Sequence, residues 1–250
     1  MKIATHLLFF NQDNFILKNI EMIAPFVDKI YVTWSEFPWL YNLQARDLFK
    51  NKSNPELLKQ SPYYDKIELI IGEWNLDEDQ RNACLDAAKR DEMDYLLIID
   101  ADEFYTHEDL KKLITDIANN PDYEYYTTPW FTYWKDYNHV IVNKNGNYIN
   151  GFPEVCVNLK YNNRFIRCRR PSGTRIKKLT SLCGHASYVL NNEECWSKIN
   201  TWGHAHQFNR NQWYMDKWIN WNENTINLHP IDPSAWYRTI KTPEELKLNI

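Results

Sequence analysis

Within its first 34 residues the chain passes from a compact apolar run to a helical period and back to an apolar run. That succession limits the fold more than any other feature. Residues 3–10 (IATHLLFF) read as a buried strand. Ile16, Ile20 and Ile23 then recur on one helical face up to Pro25, and residues 28–34 (DKIYVTW) are β-branched and aromatic, as a second strand requires. Strand, helix and strand this close together form a βαβ unit, which implies a parallel sheet with a right-handed crossover.

The pattern continues. A polar stretch from Ser35 to Pro62 carries helix fragments (YNLQARDLFK) and reads as an excursion over the sheet edge. KIELIIGEW (66–74) predicts a third strand, and DEDQRNACLDAAKR (77–90) a helix with acids in its first turn and Lys-Arg in its last, matching the helix dipole. DYLLIIDADEFY (94–105) has four aliphatic residues in a row ended by acids, the pattern of a buried central strand. Thr106, with Asp109 three positions on, predicts a capping box for a helix over 107–118. Asn119-Asn120-Pro121 stops that helix. Beyond residue 122 short aromatic strands follow (YEYYTTPWFTYW, HVIVN, VCVNLKY, RFIRCRR), and helix returns from about Asn192. The chain reads as one α/β domain in two parts, 1–121 and 122–250.

Composition narrows the function classes. Apolar residues make up 44%, enough for a sizeable core. A net charge of −4 gives no expectation of a nucleic-acid partner, although Arg164, Arg167, Arg169, Arg170 and Arg175 form a local basic cluster. The odd cysteine count (Cys84, Cys156, Cys168, Cys183, Cys195), without a CxxC pair, argues against a disulfide framework or zinc ribbon and favours a reducing cytoplasm. The N-terminal apolar stretch is too short for a signal peptide or membrane span, so any membrane contact is expected to be peripheral.

The strongest chemical signal is Asp100-Ala101-Asp102-Glu103 at the end of the fourth strand pattern. Ligands of open α/β sheets sit outside the carboxyl ends of strands. Two carboxylates one residue apart at such an end can share Mg²⁺ or Mn²⁺, whose remaining positions go to water and phosphate oxygens. The bland alternative is a solvated acidic turn before a helix. A cation on a diphosphate would neutralise charge that develops as a glycosidic C–O bond breaks.

Gln80-Arg81-Asn82 opening a helix, followed by a hydrophobic strand into Asp-Ala-Asp-Glu, resembles the family 2 glycosyltransferases, in which an Arg-Asn pair precedes the DxD. Cys183-Gly184-His185-Ala186-Ser187-Tyr188, with Lys198-Ile199 and Gly203-His204, is similar to the family 17 pattern but lacks its Trp, since Gly184 directly precedes His185. The resemblance covers residues 3–34 and 66–207. It implies a GT-A fold (a Rossmann-like mixed sheet flanked by helices), a nucleotide-sugar donor bound by residues 1–121, Mn²⁺ or Mg²⁺, and inversion at the anomeric carbon. It further implies a hydroxyl acceptor such as a glycan, bound by residues 122–250.

On that resemblance the metal ligands are expected to be Asp100, Asp102 and His185, with His204 and His206 as weaker candidates. Arg81 either reaches the diphosphate or pairs with Asp77 or Glu78. Lys198 either approaches the diphosphate or lies exposed on its helix. The loop after the first strand (Phe10, Asn11) and the end of the second (Trp34) should border the nucleoside, although Trp34 and Phe10 suit core packing equally. An inverting transfer needs a base, and Glu154, in a turn between strands, competes with Asp136 and Glu103 for that role. Trp130, Tyr133 and Trp134 are candidates for stacking on an acceptor sugar. Trp213, Trp218 and Trp221 either close over the site or pack their helix down. Rival readings are a haloacid-dehalogenase-like phosphatase, disfavoured by the late position of the motif, and a sugar nucleotidyltransferase, which wants a Gly-rich loop where the first glycine is Gly72. A carbohydrate-binding module would not need the acidic pair.

Overall fold

Ile3–Leu8 (β1) lies between two parallel partners, Lys29–Trp34 (β2) and Tyr95–Ile98 (β4), in a computed structural model that describes residues 1–40, 43–46, 48–201 and 205–248. Ile67–Ile71 (β3) pairs parallel to β2 at the sheet edge, which is why its residues stay half-buried or exposed while β1 and β4 are enclosed. The helix between β1 and β2, Asp13–Ile23 (α1), buries Phe15, Ile16, Asn19, Ile20 and Ile23. Each buried aliphatic side chain there stabilises the packing by roughly 2 kcal/mol. Asn19 sits on the same face and is buried too.

The other side of β4 is antiparallel. Glu154–Asn158 (β8) pairs with β4, Leu97 facing Cys156, and also with Tyr125–Thr127 (β5). Ile176–Lys178 (β11) runs parallel to β5 and completes the seven-stranded order β11-β5-β8-β4-β1-β2-β3. Asp77–Arg90 (α2) follows β3, and His107–Ala118 (α3) follows the acidic motif. The Thr106 hydroxyl accepts from the Asp109 amide as expected, but the Asp109 carboxylate accepts from that hydroxyl and from the Leu182 amide rather than from the Thr106 backbone amide.

Contacts gather the chain into two units, residues Met1–Pro129 with Phe152–Cys183, and Trp130–Gly151 with Gly184–Ile250. The boundary expected after residue 121 falls inside the first, because β8 and β11 return to the same sheet as β4. In the second unit Trp130–Trp134 (β6) and Asp136–Val142 (β7) form an antiparallel pair, and Arg238–Lys241 (β13) pairs with β7. β13 had no counterpart in the sequence pattern, since RTIK is short and carries two charges. The helix expected from Asn192 extends to Thr201 (α4), and His204 lies outside the described residues. Residues 205–207 and 210–219 then form separate short helical turns.

The expected strand RFIRCRR is a hairpin instead, Phe165–Arg167 (β9) against Arg170–Pro171 (β10). Cys168 at its turn takes a positive φ of 47°. Its amide donates to Glu78 at 3.1 Å, which offsets part of the strain of that conformation.

Candidate active site

Because β1, β2, β3 and β4 are parallel, their carboxyl ends share one edge of the sheet, and the first unit's charged groups collect there. Arg81, 3% exposed on α2, points its guanidinium fork at Asp100, with Nη1 to Oδ1 at 3.0 Å and Nη2 to Oδ2 at 3.1 Å. Its Nε donates to Asp77 at 2.8 Å. Burial resists charge on both sides of this pair. Arg81 and Arg169 nevertheless hold the Asp100 carboxyl well below the usual range, and Asp100 and Asp77 raise Arg81 in turn. Among the described residues Asp77 accepts from Arg81 Nε alone, and burial raises its carboxyl. Of the two readings open for Arg81, the structure shows the ion pair: its donors face Asp77 and Asp100.

A second guanidinium comes from the hairpin. Arg169 brackets Glu103 with both Nη atoms, donates to the Ile98 carbonyl at 2.5 Å, and lies 3.7 Å from Asp100. Glu103 is 1% exposed. Burial lifts its carboxyl to about 7 against the pull of Arg169, with Asp100 and Asp102 adding to the rise. A carboxylate enclosed in this way has no path to an acceptor hydroxyl, which removes Glu103 as a candidate base.

The rest of the site is a frame of amides, of which the sequence pointed to Gln80 and Asn82 through the Gln80-Arg81-Asn82 motif but not to Asn19. Asn19 donates to the carbonyls of Asp100, Ala101 and Glu103 at 3.2, 3.4 and 2.7 Å, pinning the acidic turn to α1. The available signal was a polar residue three positions after Ile16, on the apolar face. Asn82 holds the hairpin reciprocally, giving to the Phe165 carbonyl at 2.9 Å and accepting from its amide at 3.0 Å. Gln80 donates to Thr33 Oγ1 at 3.0 Å and accepts from the Trp39 indole. Gln80-Arg81-Asn82 therefore anchors three things in succession: β2, the acidic motif and the hairpin. His6 Nε2 also lies 3.0 Å from Thr33 Oγ1, and burial with the nearby Arg81 lowers the ring to about 3, keeping it neutral.

Where β1 and β2 end, Asn51 clamps the two loops, donating to the carbonyls of Phe9 and Ser35 at 3.0 and 2.9 Å and accepting from the Asn11 amide at 3.0 Å. Asn11 itself has a positive φ of 54°, which asparagine tolerates well. Trp34 and Phe10 are half-buried at this edge, and the Trp34 indole donates to the Ser53 carbonyl at 3.0 Å. Glu154 opens β8 rather than lying in a turn. Antiparallel register with β4 places it at the same end of the sheet as Asp100, and its carboxylate is 3.6 Å from Arg170.

The remaining candidates belong to the second unit. Tyr133 and Trp134 are fully buried, Tyr133 donating to the Leu246 carbonyl and Trp134 packed among Tyr188, Trp213, Trp218 and Trp236. Neither offers a ring to an acceptor sugar, and both are corrected here to core residues. Trp213 and Trp218 belong to that core, with Trp221 packed against it. Trp130 is half-buried and stacks on His185 at 4.2 Å and 7°. A Cβ at Gly151 would fall 2.0 Å from the Trp130 indole nitrogen, so only glycine fits beneath the ring. His185 sits within Cys183–Tyr188 (β12). Lys198 Nζ lies 5.7 Å from the Tyr188 ring, and Asp136 pairs with His139 at 2.9 Å.

Among the described residues no three His, Cys, Asp or Glu side chains gather to hold an ion. Mg²⁺ and Mn²⁺ do not require such a cage when a diphosphate supplies most of the oxygens, one or two carboxylates being enough. The hard oxygens on this turn are those of Asp100, which keeps 26% of its side chain in solvent, and of Asp102, which is 5% exposed, so a cation would share Asp100 with the Arg81 fork.

A mixed sheet with four parallel strands, flanking helices and acids at the strand ends is the GT-A architecture of nucleotide-diphospho-sugar transferases. The profile of Glycosyl transferase family 2 matches residues 51–182, more than half of the chain, and the chain belongs to that family. No curated protein sequence matches it. Solved structures similar to it include mannose-1-phosphate geranyltransferase from Thermus thermophilus, at 13% identity over 63% of this chain and 50% of that one, with a TM-score of 0.35. Residues 1–349 of S. aureus TarS are 14% identical over 88% of this chain and 71% of that one, with a TM-score of 0.47. HddC from Yersinia pseudotuberculosis is 13% identical over 72% and 90%, with a TM-score of 0.42. The chain thus spans half the length of the Thermus structure.

Proposed function

We propose that this protein transfers a glycosyl unit, with inversion, from a nucleotide-diphosphate sugar to an acceptor hydroxyl, assisted by Mn²⁺ or Mg²⁺. The observation that carries the reading is the Asp-Ala-Asp turn at the carboxyl end of β4, held by Arg81 from one side and Arg169 from the other. Asp102 and Asp100 would hold the cation, which when bound neutralises charge on the departing diphosphate.

The chain's own residues divide the remaining work. Arg81 keeps Asp100 ionised and fixed in direction. Asn19 sets the backbone that carries both acids, and Asn51 shapes the loops bordering the nucleoside between Phe10, Asn11 and Trp34. Glu154 takes the acceptor proton: it stands at the same strand ends, with Arg170 3.6 Å away. Five free thiols, four of them buried, suit a reducing compartment such as the cytoplasm.

The test is a thermal-shift and hydrolysis screen of UDP-, GDP- and dTDP-sugars with and without Mn²⁺. A metal-dependent shift with at least one donor, lost in Asp102→Asn, is the expected result. No shift with any donor under any metal would overturn the reading. Glu154→Gln should keep the donor shift while slowing transfer by about 10²–10⁴-fold. An unchanged rate in that variant moves the proton to another group.

A further inference from the structure

We propose that a basic and apolar face of the first unit, built around the β9–β10 hairpin and the edge strand β11, docks the protein on an anionic lipid bilayer. From Lys160 to Lys178 eight of nineteen residues are Lys or Arg and none is acidic, in a chain whose net charge is −4. Some of this charge is spent internally. Arg169 is enclosed with Glu103, Arg164 forks onto Asp86, and Arg175 lies 3.5 Å from Glu124. Among the described residues Lys160, Arg167, Lys177 and Lys178 form no ion pair.

The register joins several of these groups into one surface. Arg167 faces Arg170 across the hairpin. The Arg170 guanidinium lies over the Tyr125 ring, Tyr125 pairs with Ile176, and two residues along the same edge strand Lys178 reaches over Phe152. Interleaved with the cations are exposed apolar side chains: Ile166 is 61% exposed, Phe152 56% and Ile176 36%.

The interleaving decides between ligands. A soluble polyanion would satisfy the cations and leave Ile166, Phe152 and Ile176 in water. A bilayer surface takes both kinds of group, the cations at lipid phosphates and the apolar tips at the headgroup–acyl boundary. Among the described residues no helix is long and apolar enough to cross a membrane, so attachment through this face is peripheral. The inference stands apart from the glycosyl-transfer reading, since none of the surface cations is assigned a role in it beyond Arg170.

Flotation of the full chain with vesicles of mixed phosphatidylglycerol and phosphatidylcholine tests it, with pure phosphatidylcholine vesicles and soluble polyphosphate as the comparison arms. Binding to the anionic vesicles alone, released by high salt, is expected. Arg167→Glu with Lys178→Glu should weaken it by about thirtyfold or more, circular dichroism showing the fold intact. Ile166→Ser, which keeps every charge, should weaken it severalfold. Failure to float with anionic vesicles at low salt overturns the proposal. So does binding to polyphosphate without binding to vesicles, or an Ile166→Ser protein that floats like the parent.

Discussion

At the scale of single residues, the candidate site is an arithmetic of charges at close range. Arg81 is buried and serves two carboxylates, so Arg81→Ala would leave Asp77 without its paired cation and Asp100 with Arg169 alone. Removal of one partner from a buried pair typically destabilises by about 3–5 kcal/mol. Because Asp100 keeps 26% of its side chain in solvent, the lower end of that range is expected in urea unfolding. Arg81→Lys should recover only part of the loss, since one ammonium reproduces neither the fork nor the Nε contact. His6 makes a separate prediction. Its ring is lowered to about 3 in the folded protein, below the unfolded value of 6.5. Between those values the unfolded chain binds a proton that the native chain does not, so stability falls as pH drops from 6.5 towards 3. The slope approaches about 1.4 kcal/mol per pH unit. His6→Gln should flatten that part of a stability–pH curve, and an unchanged curve would mean that His6 titrates normally.

Among the elements, the β9–β10 hairpin depends on helix α2. Two reciprocal hydrogen bonds from Asn82 hold Phe165, and each is worth about 1 kcal/mol. Asn82→Ala should therefore destabilise by about 2 kcal/mol, and the Phe165 amide should lose hydrogen-exchange protection before the strands do. If Arg169 needs the hairpin to stay on Glu103, donor binding should weaken in the same variant. The strands and long helices that organise this arrangement were legible beforehand: apolar runs at 3–10 and within 94–105 and an acidic-to-basic helix at 77–90 are local patterns. The hairpin was not, because Cys168 in a left-handed conformation is set by Glu78, far away in sequence. Tyr133 and Trp134 failed for a similar reason. Aromatic residues look alike in a sequence whether they face a sugar or a core, and here the core of the second unit takes them.

For the molecule as a whole, a donor that binds only the folded state should raise its stability by mass action. A nucleotide sugar with Mn²⁺ at about a hundred times its Kd adds about 2.7 kcal/mol. In a chain of this size that corresponds to a melting-temperature rise of roughly 5–10 °C. The same additions to Asp102→Asn should give little or none of it, which calorimetry can read.

What the amino-acid order determined unaided is the succession of elements and the chemistry at one strand end. Periodicity, caps and an aliphatic run closed by Asp100-Ala101-Asp102 are short-range signals, carried by residues that act on their immediate neighbours. Only the tertiary structure decided which groups those acids meet. Arg81 reaches Asp100 across nineteen residues, Arg169 reaches Glu103 across sixty-six and Asn19 reaches the same turn across more than eighty. Such contacts exist because parallel pairing brings distant strand ends to one edge and burial leaves each polar group there in need of a partner. That need is invisible until the chain has folded.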